Sequence, residues 1–231
     1  MPSRAVLVGV RVSPFVEKVA RALMLKRIAF EEVHPRSYWE AARWNPQTGK
    51  VPVLEINEER LYDSTLILRR LDELVPEPPL VADDSTRAAA QRLLEDWSDE
   101  ALYWYGMALR WNARHAAATA RQLAAFAAPW LRPLAPLVLP RRKRAATIAQ
   151  GLGRLPEAIL LGELAACLDS LVAVLSNAPF FYDTRPSVAD LAVFGQFSML
   201  RSGPTPEAAA LIEERSALMG WIRRIEARTS P

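Results

Sequence analysis

The sequence predicts an α/β domain followed by an all-α domain, and three observations carry that reading. The chain opens on "AVLVGV" at 5–10, a short β-branched run that leads through a Ser-Pro step into a helical pattern. Two more short apolar runs, "VPVLEI" and "RLY", follow within the first 63 residues. From Thr86 onward the chain reads as helices only, dense in Ala and Leu, with no convincing strand. Between the halves lies "VPEPPLVADDS", rich in Pro and acidic residues. The expected domains are therefore 1–78 and 86–231, with a linker at 79–85.

Taken in order, 5–10 is a strand. In "RVSPFVEKVARALMLKRI", Ser13 stands where a helix cap belongs and Pro14 at the first helical position. Val16, Val19, Ala20, Leu23 and Leu25 then give a helix at 14–26 a largely apolar side. A strand at 28–33 follows, and a β-α-β start implies parallel strands joined by a right-handed crossover. A short polar helix or loop is expected at 36–43. "VPVLEI" and "RLY" are separated by "NEE", a hairpin-length polar turn, and a helix is expected at 64–75.

Composition excludes several function classes. At 231 residues the chain can bury a proper core, and 51% hydrophobic with 24% charged residues is ordinary for a globular protein. A net charge of +3 is too small to argue for nucleic acid, and no basic run is interleaved with aromatics. Cys167 is the single cysteine, which removes an internal disulfide, a C-x-x-C pair and a cysteine zinc site. His34 and His115 are far apart in sequence and lack partners at ligand spacing, so no metal is expected. No signal-peptide pattern precedes the first strand, and no apolar stretch of membrane-spanning length is read, so a cytoplasmic protein is expected.

Three local features bear on chemistry. Ser13 and Pro14 put a hydroxyl and free backbone N–H groups at the positive end of a helix, a place to hold an anion; a plain cap is the simpler reading. Pro52 would ordinarily demote its strand to an edge. The alternative is a cis Val51–Pro52 bond that turns the backbone of Val51 outward, where it can pair with an extended peptide ligand. In "LYDSTLILRRLDEL", Asp63 and Ser64 open a helix and read first as caps. The functional reading adds a ligand carboxylate at the helix start and an ammonium beside Asp63.

In this order and spacing, the three features resemble the glutathione site of the glutathione S-transferase superfamily, closest to its serine and cysteine classes. The resemblance extends into "FYDTRPSVADLAVFGQF", similar to the family's buried helix with its Ser-x-x-Asp box, and into "PTPEAAALIEERSALMGWIRRIEA" with its late Trp. It implies a thioredoxin-like N-terminal domain with a four-stranded mixed sheet, a helical C-terminal domain of at least five helices, and a site between them. It further implies that Ser13 donates a hydrogen bond to the glutathione sulfur, and that Val51, before Pro52, pairs with the cysteinyl unit. Ser64 takes the γ-glutamyl carboxylate and Asp63 lies near the amine, where many relatives carry Glu. Lys50 is placed to neutralise the glycyl carboxylate, or is a solvated surface lysine. Phe15 resembles the family's aromatic next to the catalytic residue, although core packing is its stronger reading.

The implied activity is conjugation of the glutathione thiolate to small apolar electrophiles, with glutathione as co-substrate, no metal, and a homodimer as the usual assembly. Alternatives are another glutathione reaction (isomerisation, dehalogenation, peroxide reduction) or a non-catalytic binding module, peripheral to a membrane in one version. Ser13 in place of cysteine disfavours thiol–disulfide exchange, since a hydroxyl forms no mixed disulfide.

Other residues read more plainly. Asp190 is the acidic member of a capping box with Ser187 and fixes a buried helix. Cys167 is expected as a buried, inert thiol. Among Trp97, Tyr103, Trp104, Tyr105 and Trp111, most are core, with Trp104 the candidate for a second-substrate pocket. Pro129, Pro133, Pro136 and Pro140 forbid one regular helix, so 129–144 is expected as a loop with a solvated basic turn at Arg141, Arg142, Lys143 and Arg144. The sharper reading of that segment is a membrane-surface contact.

Overall fold

The computed structural model describes residues 5–176 and 178–230. The first half holds β1 (Ala5–Val8), α1 (Pro14–Leu25), β2 (Phe30–Val33), α2 (Tyr38–Trp44), β3 (Val53–Ile56), β4 (Glu59–Tyr62) and α3 (Ser64–Leu74). The sheet order is β2-β1-β3-β4, with β2 parallel to β1 and β3 antiparallel to both β1 and β4. This is the mixed four-stranded sheet the resemblance implies, and the Val51–Pro52 bond is cis.

Local chemistry explains where elements stop. β1 ends at Val8, two residues earlier than expected, because Gly9 takes φ +149°, a backbone shape that L side chains rarely adopt. A Cβ there would also collide with Val16. α1 closes with Arg27 at φ 55°, its N–H donating to Met24 O and the Ile28 N–H to Leu23 O. That pair of bonds is a Schellman ending, which uses up Ile28 and delays β2 to Phe30. Asn57 and Glu58, both at positive φ, make a two-residue hairpin loop between β3 and β4.

The second half is helical: α4 (Ser85–Trp97), a π-helical turn (Ser98–Leu102), α5 (Tyr103–Arg110), α6 (Ala116–Ala124), α7 (Ala135–Gln150), α8 (Glu157–Leu175), α9 (Val188–Arg201), α10 (Pro206–Glu213) and α11 (Ser216–Arg228). Among the described residues its only β pairing is an isolated bridge, Phe180 with Asp183. The core of this half gathers Phe181, Phe194 and Phe197 around Trp221, all buried. The N-terminal core packs Leu7, Val19, Leu23, Leu54 and Ile67 together and takes in Val188 and Leu191 from α9. Each such side chain contributes about 1.5–3 kcal/mol by leaving water, so α9 ties the two cores together. Gly195 permits the closest approach: a Cβ there would run into the carbonyl oxygen of Pro14. The stretch between α3 and α4 is itself held down, with the buried Lys26 ammonium donating to Val75 O and Pro78 O and pairing with Asp72.

Three expectations are corrected. Residues 129–144 are not a loop: after a 3-10 turn at Pro129–Leu131, α7 runs from Ala135 to Gln150 with Pro140 inside it. Pro136 falls in the first turn, where a missing N–H is harmless, and Pro140 removes a single ladder bond near the start of a helix already nucleated at Leu134. A helix of membrane-spanning length and hydropathy is present after all: α8 is 19 residues long with a mean hydropathy of 2.1 in its most apolar window. Leu160, Leu164, Leu168, Leu171 and Leu175 of that helix are buried in the C-terminal core. Cys167 is only half-buried on α8, and burial together with Glu163 pushes its thiol above its ordinary range.

Candidate functional site

A cleft of about 1310 Å³ lies between the sheet domain and the helices. Ser13 and Phe15 reach it from the start of α1, Lys50, Val51 and Pro52 from the approach to β3, and Asp63 and Ser64 from the start of α3. Trp104 closes the helical side from α5.

Ser13 has the extended backbone of an N-cap (φ −78°, ψ 124°), and its carbonyl accepts the Glu17 N–H at 3.0 Å. Its hydroxyl makes no capping hydrogen bond. The simple cap reading is thus not the observed geometry, and Ser13 lines the cleft at the N-terminus of α1.

The other helix start divides its work differently. Asp63 (φ 70°) caps α3, its Oδ1 accepting from the Thr65 N–H at 2.9 Å and the Leu66 N–H at 3.2 Å. Ser64 follows as the first helical residue, buried and lining the cleft. Ser64 is therefore not the cap, as the sequence alone allowed. Ahead of β3, the Asn45 amide donates to Thr48 Oγ1 and to Lys50 O, fixing the loop that delivers Val51 and Pro52; Lys50 itself is exposed. Phe15 lies outside the core to which the sequence assigned it: it is half-buried in the cleft wall, its ring centroid 5.0 Å from that of Tyr103. Tyr103 in turn meets Trp104 edge-on at 5.5 Å, and desolvation raises the Tyr103 phenol above its usual range.

Several groups in and behind the cleft wall were missed. Lys18, fully buried, donates to Asp99 Oδ2 at 2.6 Å and to Thr65 Oγ1 at 3.1 Å, and pairs with Glu95 at 2.7 Å. Asp99 lines the cleft with Asp96 and Glu100, and burial holds its carboxyl above the ordinary range against the opposing pull of Lys18. The signals were a lone lysine next to the apolar positions of α1 and the acidic "EDWSDE" on the first C-terminal helix. Lys143, read as part of a solvated turn, reaches the cleft rim from α7, where burial and the neighbouring Arg142 and Lys50 lower its pKa.

Outside the cleft, Asp190 is wholly buried, and its two oxygens accept from the Ser187 N–H and hydroxyl, the Phe181 N–H and the Trp221 indole. Burial outweighs these donors and lifts it to about 6. His115 does have partners, contrary to expectation: Glu207 at 3.3 Å and Glu157 at 3.9 Å come from other helices. Their potential ligand atoms lie within 4.8 Å of one another. Arg114 pairs with both carboxylates, so the group already has its counter-cation as an ion-pair junction of α6, α8 and α10.

Residues 7–79 match the family model for the glutathione S-transferase N-terminal domain, and the two-domain fold is that of solved glutathione S-transferases. The chain is 32% identical to glutathione S-transferase U2 of Arabidopsis thaliana over 97 residues, which cover 41% of this chain and 43% of that protein. It is 33% identical to the uncharacterized GST-like protein YibF of Escherichia coli (strain K12) over 115 residues, 48% of this chain and 56% of that one. The chain thus spans about half the length of the curated relatives it matches. In fold it is similar to the beta-etherase LigF from Sphingobium sp. strain SYK-6, with a TM-score of 0.70 at 21% identity over 96% of this chain and 95% of that chain. FzlA from C. crescentus gives a TM-score of 0.66 at 24% identity, covering 98% and 89%.

Proposed function

We propose that the protein is a serine-type glutathione transferase that joins the glutathione thiolate to small apolar electrophiles. The observation that carries the reading is Ser13, which lines the cleft at the positive end of α1 with its hydroxyl uncommitted to capping. A thiol of pKa about 8.5 is mostly protonated at neutral pH, and the thiolate is the nucleophile. A hydroxyl donor together with a helix N-terminus stabilises that charge.

The remaining cleft residues suit a tripeptide with three charged ends. Ser64 and the α3 N-terminus suit the γ-glutamyl carboxylate; Asp63 and Asp99 offer negative charge to its ammonium; Val51 offers its main chain to the cysteinyl unit. Lys50 and Lys143 suit the glycyl carboxylate. Phe15, Tyr103 and Trp104 give the facing wall an apolar surface for the second substrate. The thiolate then attacks the electrophilic carbon, forming an S–C bond while the electron pair leaves with the departing group or enters the acceptor double bond. A homodimer and a cytoplasmic setting, where glutathione is kept reduced, belong to the same proposal. The test is calorimetric titration with glutathione followed by turnover of a panel of apolar electrophiles. Absence of glutathione binding would overturn the reading.

A further inference from the structure

We propose that the outer face formed by the segment 126–144 and α2 docks on an anionic lipid surface, placing the rim of the cleft against the bilayer. The apolar part is unusually bare. Trp130 is 67% exposed, Leu137 65%, Val138 58% and Leu134 50%, all on the 3-10 turn and the start of α7. Trp39 (67%) and Tyr38 (60%) of α2 belong to the same face: the Ala128 N–H donates to Arg36 O at 2.9 Å, and the Phe126 and His34 rings lie 6.4 Å apart. Exposed tryptophan and tyrosine beside aliphatic side chains suit the boundary between head groups and acyl chains, where an amphipathic ring keeps one edge wet.

Charge complementarity selects the partner. Residues 101–156 contain nine Lys and Arg and no Asp or Glu, against 20 basic and 26 acidic residues in the rest of the chain. Within that stretch Arg132, Arg141, Arg142 and Arg144 are exposed around the apolar tip. The nearest acid on α2, Glu40, is engaged with the Arg36 N–H. Basic side chains ringing a hydrophobic tip favour a surface that is anionic outside and apolar beneath. A nucleic acid would use the charges but leave Trp130, Leu137 and Val138 in water. Phe126 and Lys143 lie on both the docking face and the cleft lining, so the contact sets the cleft mouth at the lipid boundary.

The test is co-sedimentation of the full chain with vesicles of phosphatidylcholine alone or mixed with phosphatidylglycerol, at low and high salt. Binding to the mixed vesicles at low salt is expected, with loss at high salt and little binding to phosphatidylcholine. Arg141→Glu with Arg142→Glu should lower partitioning by tenfold or more, at roughly fivefold per basic residue removed. Trp130→Ala with Leu137→Ala should lower it several-fold with the charges intact. These side chains lie outside the cleft lining, and circular dichroism is the check that each variant is folded. No binding to anionic vesicles, or binding by both variants as tight as that of wild type, overturns the proposal. So does tighter binding of a DNA duplex that the apolar variant retains, or loss of self-association in Leu137→Asp by light scattering, which would assign the face to a second copy.

Discussion

The Lys18 ammonium on α1 donates to Asp99 Oδ2, 2.6 Å away on the π-helical turn of the other domain. Lys18 is shut away from water and Asp99 nearly so at the cleft wall, and Glu95 completes a buried triad in which two carboxylates share one cation. Lys18→Met should cost about 3–5 kcal/mol of stability in urea denaturation, because it leaves Glu95 and Asp99 buried without their counter-charge. Asp99→Asn in the Lys18→Met background should recover part of that loss. Equal stability of Lys18→Met and wild type would show that the triad contributes nothing.

Ser13→Ala separates capping from chemistry. Because the hydroxyl caps nothing, the usual loss of about 0.5–2 kcal/mol for deleting a cap should be absent from its denaturation curve. The pKa of bound glutathione should rise, read from thiolate absorbance against pH, and turnover at neutral pH should fall by about one to three orders of magnitude. Unchanged turnover would remove Ser13 from the chemistry and leave the fold as it is.

Asp63 and Ser64 should split in the opposite sense. Asp63→Ala removes the acceptor of two N–H groups and should cost about 1 kcal/mol of stability. Ser64→Ala should leave stability nearly unchanged but weaken glutathione by about tenfold or more, since a hydrogen bond to a charged group contributes about 1.5–3 kcal/mol. Calorimetry and thermal melts on the two variants decide it.

Asp190 carries a pH signature. Its folded pKa of about 6 lies above the ordinary carboxylate value, so its contribution to stability is fully present below pH 4 and is lost as pH rises through 6. The stability difference between wild type and Asp190→Asn, whose amide mismatches the four donors, should therefore widen as pH falls from 7 to 4. The slope is at most about 1.4 kcal/mol per pH unit. A difference independent of pH would show that Asp190 is ionised throughout.

The sheet domain was legible because each of its elements announces itself locally: β-branched runs, Ser-Pro at one helix start, Asp-Ser at another. Ser13, Val51, Pro52 and Asp63-Ser64 could be picked out for the same reason, since they sit at element ends where local rules operate. What stayed hidden depends on distance in sequence. Lys18 and Asp99 are 81 residues apart, and His115 meets Glu157 and Glu207 only once three helices have packed. α7 was misread for another reason. Four prolines argue against a helix when counted, yet two of them precede it, one occupies its first turn, and the remaining one removes a single ladder bond.

The missing side chain at Gly195 has a consequence for how the cleft can change. With α9 seated on the carbonyl of Pro14, one residue from Ser13, and packed into both cores, hinging the two halves apart along this seam would expose apolar surface of both. The spacing of the two halves beside Ser13 is thus set where Gly195 meets α1. A change of cleft shape must then come from exchanging side chains along its far wall, Tyr103, Trp104 and the α7 rim, while the Ser13 end keeps its geometry.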